Sequence, residues 1–214
     1  MKADRLTPLQ LQRLEKAFCL GADDASLAMA RWLSVPSLIA IESVEQYPLV
    51  AATSVLSDAD EAVCFCVMAI NGSLTGQLIL CFDDTSGLSL ADLLLNNPPG
   101  TATEWGDVER SAALESHNII GCAYLNSLAR HLLGSSTSEL KLIPSPPEFR
   151  RDFAECLLES VFVDQAMVSD FVFVAKARFE LRGQPLHWTL LLVPDTTSMI
   201  TLRGILSQNA EVEA

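Results

Sequence analysis

The sequence lacks a C-x-x-C pair, an H-E-x-x-H signature, a G-x-S-x-G elbow and a phosphate-cradling glycine loop. Zinc-knuckle, metalloprotease, serine-hydrolase and nucleotide-loop chemistries therefore have no local support. Its three histidines, His117, His131 and His187, are too scattered to form an evident catalytic pair. Positive charge is scarce: 14 Lys and Arg stand against 27 Asp and Glu, a formal net charge of -13, and no basic cluster exceeds Arg150-Arg151. Such a surface repels a phosphate backbone, so nucleic acid is not an expected partner. Long hydrophobic runs are missing as well. No segment approaches the ~18 uninterrupted apolar residues of a membrane span, and MKADRLTPLQLQRLEK at the start holds no apolar signal core. The expectation is a soluble cytoplasmic protein with no membrane insertion.

The six cysteines (Cys19, Cys64, Cys66, Cys81, Cys122 and Cys156) all lie in apolar surroundings, which predicts buried, reduced thiols. Cys64 and Cys66 alternate on a strand-like run and would face one side together. With no other Cys or His beside them, no metal site is expected.

Half of the 214 residues are hydrophobic, enough for a substantial core. Residues 8 to 34 read as helical, with an interruption near Gly21, and SLIAIESV follows Pro36 as a strand. After a further segment around 48 to 56, the runs AVCFCVMAI and GQLILCF are joined by NGSLT, whose Asn-Gly is a hairpin signal. LSLADLLLNN reads as a short helix closed by Pro98, Pro99 and Gly100, the expected boundary between halves. The order then repeats. Thr101 and Glu104 have the spacing of a capping box, opening a long helix that continues to Leu133. ELKLIP reads as a strand and FAECLLESVF as a helix. DFVFVAKARFEL and PLHWTLLLVP form a second hairpin turning at Arg182-Gly183, and a last helix near 196 to 207 precedes an acidic tail, 208 to 214.

Sliding the chain by 100 residues sets Leu14 on Leu114, Glu15 on Glu115, Gly21 on Gly121 and Leu33 on Leu133. Two amphipathic helices share some apolar positions in any case; the repeated order of elements favours duplication. The predicted fold is α+β: one internally duplicated, pseudo-two-fold domain spanning 1-214, with halves of about 1-100 and 101-207 and a mostly antiparallel sheet covered by the long helices.

Within the second long helix, SAALESHNIIGCAYLNSLA places Ser111, Glu115 and Asn118 at i, i+4 and i+7, one polar stripe on one side of the cylinder. A lone Glu or Asn on a helix is usually just solvated. Asn118, however, falls mid-helix, where its poor helix propensity calls for a reason. His117 reads as a packing or surface residue, and Trp32, Trp105 and Trp188 as core or interface aromatics.

The pattern S-x-x-x-E-x-x-N followed by IIGCAYLNSLA resembles the signature of the CheC, CheX and FliY family of chemotaxis phosphatases: Asp or Ser, Glu four residues on, Asn three further. The architectural resemblance covers most of the chain, and its specific content lies between 101 and 133. It implies a CheC-like fold and hydrolysis of the aspartyl phosphate of a CheY-type response regulator. Asn118 would orient the attacking water, Glu115 would dock to the regulator's lysine, and Ser111 would support that end of the stripe. No cofactor of its own is implied, Mg²⁺ being supplied by the phosphorylated regulator. CheC proteins also pair with CheD, a receptor deamidase, so a CheD-like protein is a candidate second partner.

The first half departs from the signature. Its matching positions are Leu11, Glu15 and Phe18, so the carboxylate survives and the carboxamide does not. That predicts a degenerate first site and a single working one. The family's proline, a little over twenty residues after the Asn, is displaced, the nearest being Pro144. The alternative is a non-catalytic chemotaxis or flagellar adaptor that uses the same fold to bind a response regulator or a CheD-like partner.

Overall fold

The runs AVCFCVMAI, LILCF and LLLV are unbroken apolar stretches rather than alternating ones, as in strands covered on both faces. In the computed structural model, which describes residues 5–48, 51, 56, 62–132, 141–164, 171–181 and 184–208, this is what they form. Chain order is α1 (Pro8–Leu33), β1 (Ser37–Pro48), β2 (Ala62–Gly72), β3 (Gly76–Asp83), α2 (Asp84–Leu95), α3 (Asp107–Leu132), β4 (Leu142–Pro144), β5 (Glu148–Phe153), α4 (Ala154–Asp164), β6 (Phe171–Leu181), β7 (Gln184–Pro194) and α5 (Thr196–Gln208). A single 7-stranded sheet runs β1-β6-β7-β3-β2-β4, with β5 also paired to β2.

Every pairing is antiparallel. The hairpins β2–β3 and β6–β7 lie side by side, joined through β3 and β7. Each half sends its first strand across to the other half's hairpin: β1 pairs with β6, while β4 and β5 pair with β2. The α+β class and the pseudo-two-fold pattern expected from the order of elements are thus present. Even the irregularities correspond. β1 shifts register between Ile41 and Ser43, and the opposite edge breaks between β4 and β5 at Ser145–Pro147.

One face of the sheet is covered by α1, α2, α3 and α5, in a cluster that includes Phe18, Met29, Met68, Leu78, Tyr124 and Leu202. The other face buries Phe65, Ile79, Val174 and Leu191 against Ala154 and Leu157 of α4. The long helices cover one face of the sheet as expected, and α4 supplies the second cover that strands buried on both sides need.

The helix α1 begins where local chemistry dictates. Thr7 accepts from the Gln10 N–H at 3.3 Å, Gln10 accepts from the Thr7 N–H at 2.8 Å, and Pro8 fills the first helical position. The expected interruption at Gly21 is absent, and α1 is continuous. A Cβ at Gly21 would stand 2.6 Å from Tyr124 Cδ1, so the glycine serves close approach of α1 to α3. The proposed capping box at Thr101 is also corrected. The α3 helix starts at Asp107, and the Thr101 and Ala102 N–H groups instead donate to buried Asp92, each at 2.9 Å. Helix and turn compete for the same Thr-x-x-Glu spacing, and a buried carboxylate nine residues back decides for the turn.

Both long helices have 26 residues, and the 100-residue offset aligns their ends to within one position. Leu133, the turn at Arg182-Gly183, residues 209–214 and most of the segment at 48 to 56 lie outside the described residues. Not every cysteine is buried: Cys19 and Cys156 are exposed, because each falls on the outer side of its helix. Burial pushes the Cys66 thiol up to about 12 and those of Cys64 and Cys81 upward as well, leaving all three protonated and unreactive near neutrality. Trp188 is buried and Trp105 half-buried, whereas Trp32 is exposed and is not a core residue.

His117 sits wholly inside, one ring nitrogen 3.3 Å from the Leu78 carbonyl and the other without a partner among the described residues. Burial lowers its pKa from 6.5 to about 4. The unfolded chain therefore binds this proton more readily than the folded one, so the contribution is intact above pH 6.5 and is lost as pH falls toward 4. The expected loss across that window is roughly 3 kcal/mol. Denaturant melts at pH 7 and 4.5 check it: the difference should shrink in His117→Leu, and an equal pH dependence in both proteins would contradict the assignment. Asp84 acts in a lower window. The Arg151 hydrogen bond holds its carboxyl at about 2, so its contribution fades only below its ordinary 3.8.

Candidate functional site

The α3 helix divides its circumference by chemistry. Ala113, His117, Ile120, Tyr124 and Leu128 point into the core. Turning away from that face are Ser111 and Glu115, both exposed, and half-buried Asn118. These three line one groove of about 420 Å³ together with Leu114 and, across from them, Pro144, Ser145, Pro146 and Pro147. The helical stripe is thus one wall of a site whose other wall is the broken sheet edge.

That second wall follows from what proline cannot do. An edge strand needs an inward-facing N–H from every second residue, and of two consecutive prolines one must fall on such a position, so the edge strand parts from β2 at Pro146-Pro147. Ser145 anchors the break: its N–H donates to the Ala69 carbonyl and its hydroxyl accepts from the Ala69 N–H, both at 2.9 Å. Pro144, the last residue of β4, lies in the same lining, across from the helical stripe.

Asn118 Oδ1 accepts a long hydrogen bond from the Cys122 thiol, 3.8 Å away and one turn on. Among the described residues its amide nitrogen has no protein partner, and the side chains of Ser111 and Glu115 make no hydrogen bond or ion pair. Three polar groups on one wall therefore keep most of their bonding capacity, including the Asn118 N–H donors, for something from outside. A carboxamide in this position offers a donor and an acceptor at fixed separation, enough to hold one water.

The degenerate first site does not form a counterpart. Glu15 and Leu11 are half-buried, and Phe18 is entirely inside, its ring centroid 5.9 Å from that of Tyr124. Among the described residues no group of three His, Cys, Asp or Glu side chains comes together as a metal site, and no helix is long and apolar enough to cross a membrane.

No family model matches the sequence. Among solved structures, the chain is similar to FliY of Thermotoga maritima, with a TM-score of 0.74 and 18% identity over 96% of this chain and 99% of that one. The fold is that of FliY. The FliM middle domain of H. pylori is also similar, with a TM-score of 0.63 and 13% identity over 94% of this chain and 99% of that one. So is FliM in the H. pylori FliG-FliM complex, at 0.61 and 13%, over 92% of this chain and all of that one (100%). On the fold shared with FliY and the FliM middle domain, helix α3 presents its polar stripe outward while its opposite face packs on the sheet.

The groove's far wall was not legible in the sequence, although the Pro-Pro pair marks a break in any strand. The edge strand β5 was missed altogether. Its sequence EFRRDF is mostly charged, as suits an edge, and offers little apolar alternation.

Proposed function

We propose that this chain is a phosphatase acting on the aspartyl phosphate of a CheY-type response regulator, through the α3 groove. The observation that carries the reading is the meeting of Ser111, Glu115 and Asn118 in one open groove, where among the described side chains only the Cys122 thiol, 3.8 Å from Asn118 Oδ1, engages any of them. An acyl phosphate is already activated, and Mg²⁺ and a lysine on the regulator neutralise the phosphoryl oxygens. What the phosphatase adds is a placed nucleophile. The Asn118 carboxamide holds a water in line with phosphorus. The water oxygen bonds to phosphorus as the bond to the aspartyl oxygen breaks, and the products are carboxylate and inorganic phosphate, which takes up the water's proton. No general base is needed at Asn118.

Glu115, one turn away and exposed, pairs with the regulator's lysine and fixes register. Glu115→Lys should accordingly weaken binding strongly, by tenfold or more, since it replaces an attraction with a like-charge contact (on the order of the several kcal/mol such contacts cost when desolvated). Titration against a regulator held in its phosphorylated form by beryllofluoride checks this; unchanged affinity would remove Glu115 from the docking surface.

The second reading is a non-catalytic adaptor, favoured by the likeness to FliM, which in the H. pylori structure is in complex with FliG. A CheD-like deamidase remains a proposed partner under either reading. The two readings separate in a turnover experiment with the regulator in large excess. A phosphatase removes many equivalents of phosphate per chain, and an adaptor none.

A further inference from the structure

Arg110 is unusual on this acidic surface. It lies one turn before Leu114, which lines the groove, and next to Ser111, in a helical turn that also carries Asp107 and Glu109. Yet among the described residues it forms no ion pair. Its guanidinium carbon stands 5.9 Å from the centroid of the Phe149 ring. Phe149 is itself fixed, 4.8 Å from the Trp105 ring, whose Nε1 donates to Asp84 at 2.7 Å. Asp84 in turn accepts two hydrogen bonds from Arg151, at 2.9 and 2.6 Å. A chain of contacts from β5 through the α2–α3 connection thus builds a shelf, and Arg110 rests on it with its N–H edges open.

We propose that Arg110 is a docking residue that receives carboxylates of the partner protein at the rim of the α3 groove. This rests on the phosphatase reading above and names what the partner presents there. A protein that holds Mg²⁺ beside an aspartyl phosphate must surround it with oxygen ligands, carboxylates above all, so its approaching face is acidic. This chain carries a formal net charge of -13, and two acidic faces repel. One guanidinium at the rim, stacked on an aromatic ring so that little freedom is lost on binding, reverses that repulsion where contact is made. Unlike Asn118, it takes no part in holding water. It acts on encounter, and its removal leaves the chemical step alone.

The test uses the full chain and a CheY-type receiver domain with Mg²⁺, loaded with beryllofluoride for binding and with acetyl phosphate for turnover. Arg110→Glu should slow association about tenfold at low salt, with dissociation changed far less, and the difference should diminish as salt is added. Arg110→Lys, which keeps the charge, should recover most of the rate. In turnover, Arg110→Glu should raise KM and leave kcat within about twofold, a split that a merely structural role would not give. If wild-type protein dephosphorylates the receiver and Arg110→Glu associates as fast as wild type, this proposal falls and the phosphatase reading stands. If wild type neither binds nor dephosphorylates it, both fall.

Discussion

Replacing Asn118 with alanine should lower the rate of regulator dephosphorylation about a hundredfold, the order of effect expected when one positioned group is lost from a reaction limited by orientation. The side chain is half-buried at the groove wall and, among the described residues, bonded only through the distant Cys122 thiol, 3.8 Å away. Truncation therefore removes the water's carboxamide without opening the core, and melting behaviour should change by well under 1 kcal/mol beyond the gain in helix propensity. Binding to the beryllofluoride-loaded regulator should persist, because Glu115 and the groove wall remain. The checking experiment pairs single-turnover phosphate release with an affinity measurement on the same variant. Full activity in Asn118→Ala would move the chemistry to another residue.

The second large effect is on stability. Phe18 occupies the position that Asn118 holds in the other half, but it is fully buried and packs on Tyr124 at a centroid distance of 5.9 Å. Phe18→Asn removes a core aromatic and puts an unpartnered carboxamide in its place. The expected cost is roughly 4 kcal/mol, combining lost packing with buried polar surface, a large part of a typical domain's margin. No second site should appear: in an Asn118→Ala background the added carboxamide points into the core and reaches no water. Phe18→Leu should cost far less, about 1–2 kcal/mol, which separates packing loss from misfolding. Chemical denaturation reads the stabilities. Wild-type stability in Phe18→Asn, or restored turnover in the double variant, would contradict the assignment of this half as structural.

The two variants show why part of the site could be read from the sequence and part could not. Ser111, Glu115 and Asn118 lie within two turns of one helix, so helical geometry alone fixes their common face. Pro144–Pro147 reach them through strand pairing with β2, a contact between residues such as Ile70 and Pro144 that no local pattern encodes. The buried strands were plain because a sheet covered on both faces needs apolar runs, whereas EFRRDF at the edge could satisfy itself in water and left no such mark. The same limit applies to helix ends. The box at Thr7 and Gln10 forms, but the similar spacing at Thr101 and Glu104 yields to Asp92, whose buried carboxylate claims the free N–H groups first. Gly21 looked like a break and is instead a seat for Tyr124, a distinction that only the packing of α1 on α3 makes.

The most direct test of the central claim is to follow phosphoaspartate on a CheY-type receiver domain, phosphorylated with acetyl phosphate in Mg²⁺ and then freed of excess donor, after adding a hundredth of an equivalent of this chain. The account predicts complete loss of the phosphoryl group well ahead of the receiver's own decay, first order in added chain and abolished by Asn118→Ala. Decay at the receiver's unassisted rate, with the complex nonetheless forming, would contradict it and leave the groove as a binding surface alone.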